Sequence, residues 1–388
     1  NRGSITGGGV YSKDEEVKLT VTLQKNKSVT GWSDDGSNTS PERTITVSED
    51  AQYTAYLADS RDPICYDVLS EEEGTAYVSR LYYETVPEEG LDITFPETVE
   101  IDGNTYKLVQ FGNEGTYGYD DFGLRVDRNV SITIPETMKT ICSLPLHGIV
   151  WESTLVFKSE IAPTFLPEPG YIEARRVYVP YGAEEAYSSI RGNITSHHTD
   201  LNIVEGSIEV NGREYTQHKT DGDVTGTIDE TLVIYSDDAM VETVNDVVIG
   251  GGTEELPVRV ALKDVNINRE NTVGDAVMLS DRAYVDMIIQ GTNTLRGGNS
   301  AAGLRVATRY KDDGTPEIST LNICQLSTGT LNTYGGATSS DGWGGGAGIG
   351  GNVYENPGNI FINAGTIYAK GCKGSAGRLE RGNFCFAF

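Results

Sequence analysis

Short phrases in which apolar and polar residues alternate return along this chain at fixed intervals, and that recurrence limits its folds more than any other feature. In one stretch they run Ile93 to Pro96, Leu108 to Phe111, Ile132 to Pro135, Leu155 to Phe157 and Val177 to Pro180. Val109 to Ile132 is 23 residues, Ile132 to Leu155 is 23, and Leu155 to Val177 is 22. Farther on, Thr294-Leu295, Thr330-Leu331 and Thr366-Ile367 recur at intervals of 36. Alternation with period two marks a half-buried strand. A repeat of this length marks coils that cannot bury an apolar face alone and must stack. The expectation is a mainly β chain built as stacked short strands.

Charge and length narrow the function classes. Over 388 residues, 30 Lys+Arg face 57 Asp+Glu, a formal net charge of −27. Such a chain cannot displace counterions from nucleic-acid phosphates, nor is it drawn to an anionic membrane surface. No apolar run approaches the roughly 18 residues that span a bilayer. The first residue is Asn1, so any export signal is expected to lie outside this stretch. The five cysteines, Cys65, Cys142, Cys324, Cys372 and Cys385, form no Cys-x-x-Cys pair and read as neither a disulfide framework nor a zinc site. Cys142 and Cys324 sit inside strand-like runs and are expected as buried thiols.

Three textures divide the chain into residues 1–57, 58–204 and 205–388. In the first, Val17 to Leu23, Thr44 to Val47 and Tyr53 to Leu57 alternate, and Trp32 is the side chain large enough to anchor so small a core. Its Gly-rich start, Tyr11, Gly31-Trp32-Ser33 and Ala55-Tyr56 resemble the divergent internalin-type B repeat of bacterial surface proteins. In the second, Pro96, Pro135 and Pro180 end strands, where a missing N–H stops pairing. Its Ile134 to Ile141 and Val177 to Tyr187 phrases resemble BspA-like leucine-rich repeats, with an irregular loop at 112–128 where a regular coil is expected. The third is rich in glycine after Gly291, with Ala302-Gly303-Leu304, Ala347-Gly348-Ile349 and Ala376-Gly377 as small-residue links. It reads as a right-handed parallel β-helix, and its wording resembles secreted bacterial β-helix domains of a carbohydrate-binding family. That resemblance implies calcium-assisted polysaccharide binding. From Arg378 the chain leaves the repeat pattern, so its tail either caps the stack or diverges from it.

Residues that could carry chemistry are few. Asp221, Asp223, Thr225 and Gly226 imitate the start of a calcium loop, but Leu232 stands where a closing Glu belongs. A turn before a strand accounts for them equally. Tyr334, Trp343 and Tyr354, with Asp341 nearby, offer flat rings and a carboxylate to sugars, or simply pack. The acid pairs Asp34-Asp35, Asp237-Asp238 and Asp312-Asp313 sit between strands, where solvated loops are commonest. Arg296 and Arg305 have the texture of a solenoid enzyme site without fixed partners. His197 and His198 are adjacent, so on a strand they face opposite ways and cannot chelate one ion; they read as loop histidines without a role. The glycine run 342–351 lacks the Lys and helix of a phosphate loop.

With no enzyme constellation in view, the three resemblances imply a non-catalytic function: an extracellular bacterial cell-surface adhesin or binding protein with no resident cofactor beyond possible calcium. Its partners would be glycans or host and extracellular-matrix proteins, not nucleic acid or membrane. A polysaccharide lyase or glycosidase on the β-helix, and an architectural surface spacer, stand as the alternatives. A cluster of at least three acids with a basic residue on one face would favour the enzyme.

Overall fold

The structure, a computed structural model, describes residues 3–23, 27–59, 62–83, 86–113, 122–124, 130–142, 153–166, 173–337, 345–372 and 384–387. It is mainly β. Among the described residues there is no α-helix, only the 3-10 turns Glu184–Tyr187 and Ile203–Glu205. The apolar interior falls into three principal clusters.

The first is small and antiparallel. Gly3–Thr6, Glu16–Leu23 and Glu42–Thr46 form one sheet, and Lys27–Trp32 pairs with Ala55–Asp59. Trp32 is fully buried among Val17, Leu19, Val21 and Val29. Its indole donates to Ser40 O at 3.1 Å, which satisfies the ring N–H that burial would otherwise orphan.

The second cluster lies between two largely parallel sheets. Leu91–Thr94, Val130–Ile134, Thr154–Phe157, Glu173–Tyr178 and Arg191–Thr195 make one sheet, with Ile93, Ile132, Leu155, Val177 and Ile194 aligned in one inward row. Asn104–Phe111, Thr140–Cys142 and Thr164–Leu166 belong to the other, which Thr75–Tyr83 also joins. The Leu108 to Phe111 phrase is thus not in series with Ile132, and the first interval of 23 residues joins strands of different sheets. Alternation reports that one face is buried; it does not report which sheet the strand enters. Within the expected irregular loop, Phe122–Leu124 is a strand running parallel to Thr75–Tyr83.

The third cluster is enclosed by three sheets that the chain visits repeatedly. The first sheet runs His198–Asn202, Thr231–Tyr235, Val258–Lys263, Tyr284–Gln290, Thr320–Ile323, Asn359–Ile362, all parallel. In the second, Gly206–Asn211, Val247–Gly250, Val277–Leu279, Leu304–Arg305 and Ile349–Gly350 are parallel, and an antiparallel hairpin, Glu214–Lys219 with Gly222–Thr227, joins one edge. The third stacks Asn266–Asn268, Thr292–Arg296, Thr330–Tyr334 and Thr366–Lys370, with the backbone of Phe384–Ala387 added antiparallel at the end. Its register corrects the sequence alignment. Thr292, not Thr294, lies beside Thr330 and Thr366. The true first interval is two residues longer than expected. A slip of two keeps every side chain on its face, so the apolar pattern could not reveal it.

Tight corners join these strands. A Cβ on Gly336 would run into the Gly298 carbonyl of the rung below, so stacking there requires glycine. Asn293, fully buried, accepts from Val265 N at 2.9 Å and donates to Gln290 O at 2.8 Å, closing backbone groups the turn leaves unpaired.

The second and third segments are packed against each other. The outward row Val233, Ala261, Ile288 and Cys324 of the first sheet is buried, with Tyr181, Tyr235 and Leu326 against it. Tyr181 Oη donates to Gln290 Oε1 at 2.8 Å, Arg259 pairs with Glu160, and Lys158 with Glu230 at 2.6 Å. The two histidines read as idle loop residues lie near this joint and are engaged. His197 stacks on Tyr178 at 4.0 Å and pairs with Asp229, and His198 meets Tyr181 edge-on at 5.0 Å.

Candidate functional site

The outer face of the third sheet is the best candidate. Because successive strands pair in register, its outward positions line up as ladders: Thr292–Thr330–Thr366, Thr294–Asn332–Tyr368 and Arg296–Tyr334–Lys370. Rungs stand about 4.8 Å apart. The Arg296 guanidinium lies over the Tyr334 ring at 4.2 Å, and Tyr334 meets Tyr368 at 5.8 Å between centroids. Glu270 pairs loosely with Arg296 at 3.7 Å. Among the described residues nothing pairs with the Lys370 ammonium. A groove of about 540 Å³ runs here, lined by Arg296, Asn299, Tyr334, Gly336, Lys370 and Cys372. It offers a flat ring, two cations and amide groups within one shallow, open trough, a combination suited to ring faces and hydroxyls.

Tyr334 is thus the one proposed binding residue that the structure sets in this groove. Trp343 and Asp341 lie outside the described residues. Tyr354 is elsewhere, on the turn Asn352–Glu355, strongly exposed and at φ 67°, a left-handed conformation that side chains other than glycine rarely take. Lys370 and Tyr368 escape the sequence reading although Thr330 and Thr366 are aligned correctly there; the two-residue misalignment displaces only the rung of Arg296, and with it the full ladder. Counted from Thr292, Thr330 and Thr366, the fourth residue on is Arg296, Tyr334 and Lys370.

The calcium-loop reading of Asp221 and Asp223 meets a different geometry. Gly222–Thr227 is a strand of the antiparallel hairpin, so Asp223 and Thr225 share one face but are spread along an extended backbone, about 7 Å apart, rather than wrapped round one point. Asp223 Oδ1 takes His218 Nδ1 at 2.9 Å. That hydrogen bond, outweighing slight desolvation, holds the exposed imidazolium above its ordinary range. Among the described residues no group of three or more His, Cys, Asp or Glu side chains is placed to hold a metal ion.

Arg305 has a partner that its sequence context does not disclose. It is 3% exposed and donates through Nε and Nη2 to the Glu355 carboxylate at 2.7 and 2.9 Å. Beside them Asp275, also buried, accepts from Ala302 N at 2.9 Å, and Asn352 Nδ2 approaches it at 3.5 Å. Burial raises the Asp275 carboxyl above its usual range. Burial also raises Glu355, but the Arg305 bonds and the Asn352 N–H outweigh it and leave the carboxyl below its usual range. Asp281 joins through Arg309 at 3.3 Å. Three acids and two arginines converge, yet none of them lines the third-sheet groove or the groove of about 390 Å³ at the joint between the segments. Their hydrogen bonds are spent on one another and on the backbone of two corners.

No helix of the described residues is long and apolar enough to cross a membrane. No protein-family model matches the sequence, and no curated protein matches it. Among solved structures, the crystal structure of the pneumococcal vaccine antigen PcpA is similar at 10% identity and a TM-score of 0.18, over 70% of this chain and 93% of that one.

Proposed function

We propose that this chain is a non-catalytic extracellular binding protein that holds a polysaccharide along the outer face of the third sheet. In this reading residues 1–57 are a small internalin-B-repeat-like module and residues 58–204 a BspA-like leucine-rich-repeat unit. The remainder is a parallel β-helix whose three sheets are its faces, right-handed as crossovers between parallel strands nearly always are. A bacterial cell surface is the setting such modules imply. The observation that carries the reading is the Arg296–Tyr334–Lys370 ladder, an open aromatic and cationic strip on a chain of net charge −27. Stacked rungs repeat such groups along an axis, which suits a ligand that is itself extended and repetitive.

A glycan array read with calcium and again with chelator tests it, using the whole chain and its Tyr334→Ala and Lys370→Ala variants. Binding to at least one polysaccharide, weakened tenfold or more by either substitution, is expected. Binding lost on chelation would add calcium as a cofactor. Indifference to every glycan overturns the reading and leaves adhesion to proteins or a spacer role.

The enzyme reading has one observation in its favour, the convergence of Asp275, Asp281 and Glu355 on Arg305 and Arg309, with two carboxyls pushed in opposite directions as an acid–base pair requires. Turnover of polysaccharides that Asp275→Asn abolishes would establish it.

A further inference from the structure

The second sheet of the third segment ends on a bare edge. Gly222–Thr227 is its outermost strand, antiparallel to Glu214–Lys219, and among the described residues no strand pairs with its far side. Ile228 N donates inward to Arg213 O at 2.7 Å. Peptide groups alternate in direction along a strand, so Gly222, Val224 and Gly226 also turn theirs inward. The N–H and C=O groups of Asp223, Thr225 and Thr227 therefore face outward. Proteins guard such edges with proline, lysine, a bulge or very short strands. This strand has six residues and an unbroken register, and it carries neither proline nor lysine. Its one charged side chain, Asp223, is tied to His218.

Set antiparallel against itself, this strand complements its own edge. A single register brings all three outward residues of each copy opposite one another: Asp223 faces Thr227 of the second copy, Thr225 faces Thr225, and Thr227 faces Asp223. Hydrogen-bonded pairs of this kind exchange two bonds each, about six along the seam. No like charges lie opposite one another within it. On one face Thr225 meets its own copy with Thr216 behind each, and threonines paired across strands are favourable. On the other face Val224 falls opposite Gly226. Val224 is 41% exposed, although its neighbour in the hairpin, Gln217, is buried. Gly226 leaves room for the Tyr215 ring, whose phenol oxygen would come within 2.6 Å of a Cβ there. The valine of one copy would thus sit at the glycine of the other, against the edge of that ring.

We propose that this edge joins a second copy of the chain, continuing the sheet across a twofold axis. A dimer formed this way works against the overall charge. Each copy carries −27, and just past the seam Asp221 would approach Asp229 of the other copy. Backbone bonds and the threonine and valine contacts favour the pairing, while unscreened repulsion opposes it, so the association strengthens with salt. An edge that captured a basic segment of another protein would behave in the opposite way.

Sedimentation velocity of the whole chain over a range of concentrations tests this, at low salt and again at about 0.5 M, where charges are screened within a few ångströms. A monomer–dimer equilibrium at least tenfold tighter in high salt is expected. The Thr225 N–H points away from the hairpin, so Thr225→Pro removes no bond within one molecule. It should weaken the dimer tenfold or more, while the melting temperature of the dilute, low-salt monomer stays near the parent's. Because residue 225 meets itself across the axis, Thr225→Lys and Thr225→Asp should each weaken self-association, and an equimolar mixture of the two should restore dimers. A chain that stays monomeric at every concentration and salt overturns the proposal. So does a dimer that loosens with salt, that Thr225→Pro leaves intact, or that mixing the lysine and aspartate variants does not recover.

Discussion

The first and third sheets of the C-terminal segment are made the same way and end in opposite circumstances. Both stack parallel strands in register, and both turn apolar residues inward: the row Leu232, Val260, Met287, Ile323 in one, and the pairs Ile267–Leu295 and Leu331–Ile367 in the other. Outward they diverge. The first sheet shows Val233, Ala261, Ile288 and Cys324, and the second segment covers them. The third shows Thr, Asn, Arg, Tyr and Lys to solvent. Inward positions are therefore set by stacking alone, whereas outward positions record what each face meets. An apolar outer row marks a face with a protein against it. A polar aromatic row marks a face kept free.

Substitution by one acid on each sheet breaks the comparison most directly. Ile288→Asp would bury a carboxylate between the segments with no partner, and should lower stability by about 4 kcal/mol or more. Asn332→Asp, on the free face, should change it by no more than about 0.5 kcal/mol. Urea midpoints measure both. Equal effects would mean that the first sheet is no more covered than the third.

The buried cluster beneath the Tyr354 turn sharpens the contrast from a third direction, because there a polar group is covered. Removing one member of a buried ion pair leaves its partner stranded, so Glu355→Gln should cost about 3 kcal/mol near neutral pH. Glu355 is held below its unfolded value of about 4.3, so its contribution is present above that pH and is lost as pH falls through the folded value. Asp275, raised by burial, works the other way: its ionisation costs stability as pH rises from about 3.9 through its folded value. The stability gap between the parent and Glu355→Gln should therefore close as pH drops below about 4, read from melting temperatures. A gap that stays constant would show that the carboxylate charge is not what holds the turn.

How much of this the sequence disclosed follows the same division between inward and outward. Strand existence was legible, since Ile132, Leu155 and Val177 do align in one sheet and Leu304 does lie beside Ile349. So was the burial of Trp32 and Cys324, because each sits in a run whose alternation points it inward or beneath a neighbour. Register was not legible. Apolar alternation is unchanged by a slip of two residues, and the Arg296–Tyr334–Lys370 ladder appears only once Thr292 is placed beside Thr330. Sheet membership is also hidden, because alternation and spacing alone set Val109 in series with Ile132 although their strands belong to different sheets. The Arg305–Glu355 pair joins residues fifty apart on separate corners, and nothing local to either marks the other.

The cysteines give the gentlest test of the same contrast, because one lies under the covered face and one in the open groove. Burial between the segments pushes the Cys324 thiol up to about 12, whereas Cys372 is only half-buried beside Tyr334 and Lys370. The thiolate is the reactive form, and a thiol titrating near 12 is only about one part in ten thousand ionised at pH 8. In a variant that keeps these two cysteines alone, a disulfide reagent at pH 8 should modify Cys372 first and reach Cys324 only as the protein unfolds. Replacing Tyr181, which packs on the Cys324 face and donates to Gln290, by alanine should then quicken labelling of Cys324 and leave Cys372 unchanged. The cover is what makes Cys324 slow in this account. If Tyr181→Ala left its rate untouched while the parent protected it fully, the protection would come from the stack itself, and the outer row of the first sheet would need another explanation than the segment lying on it.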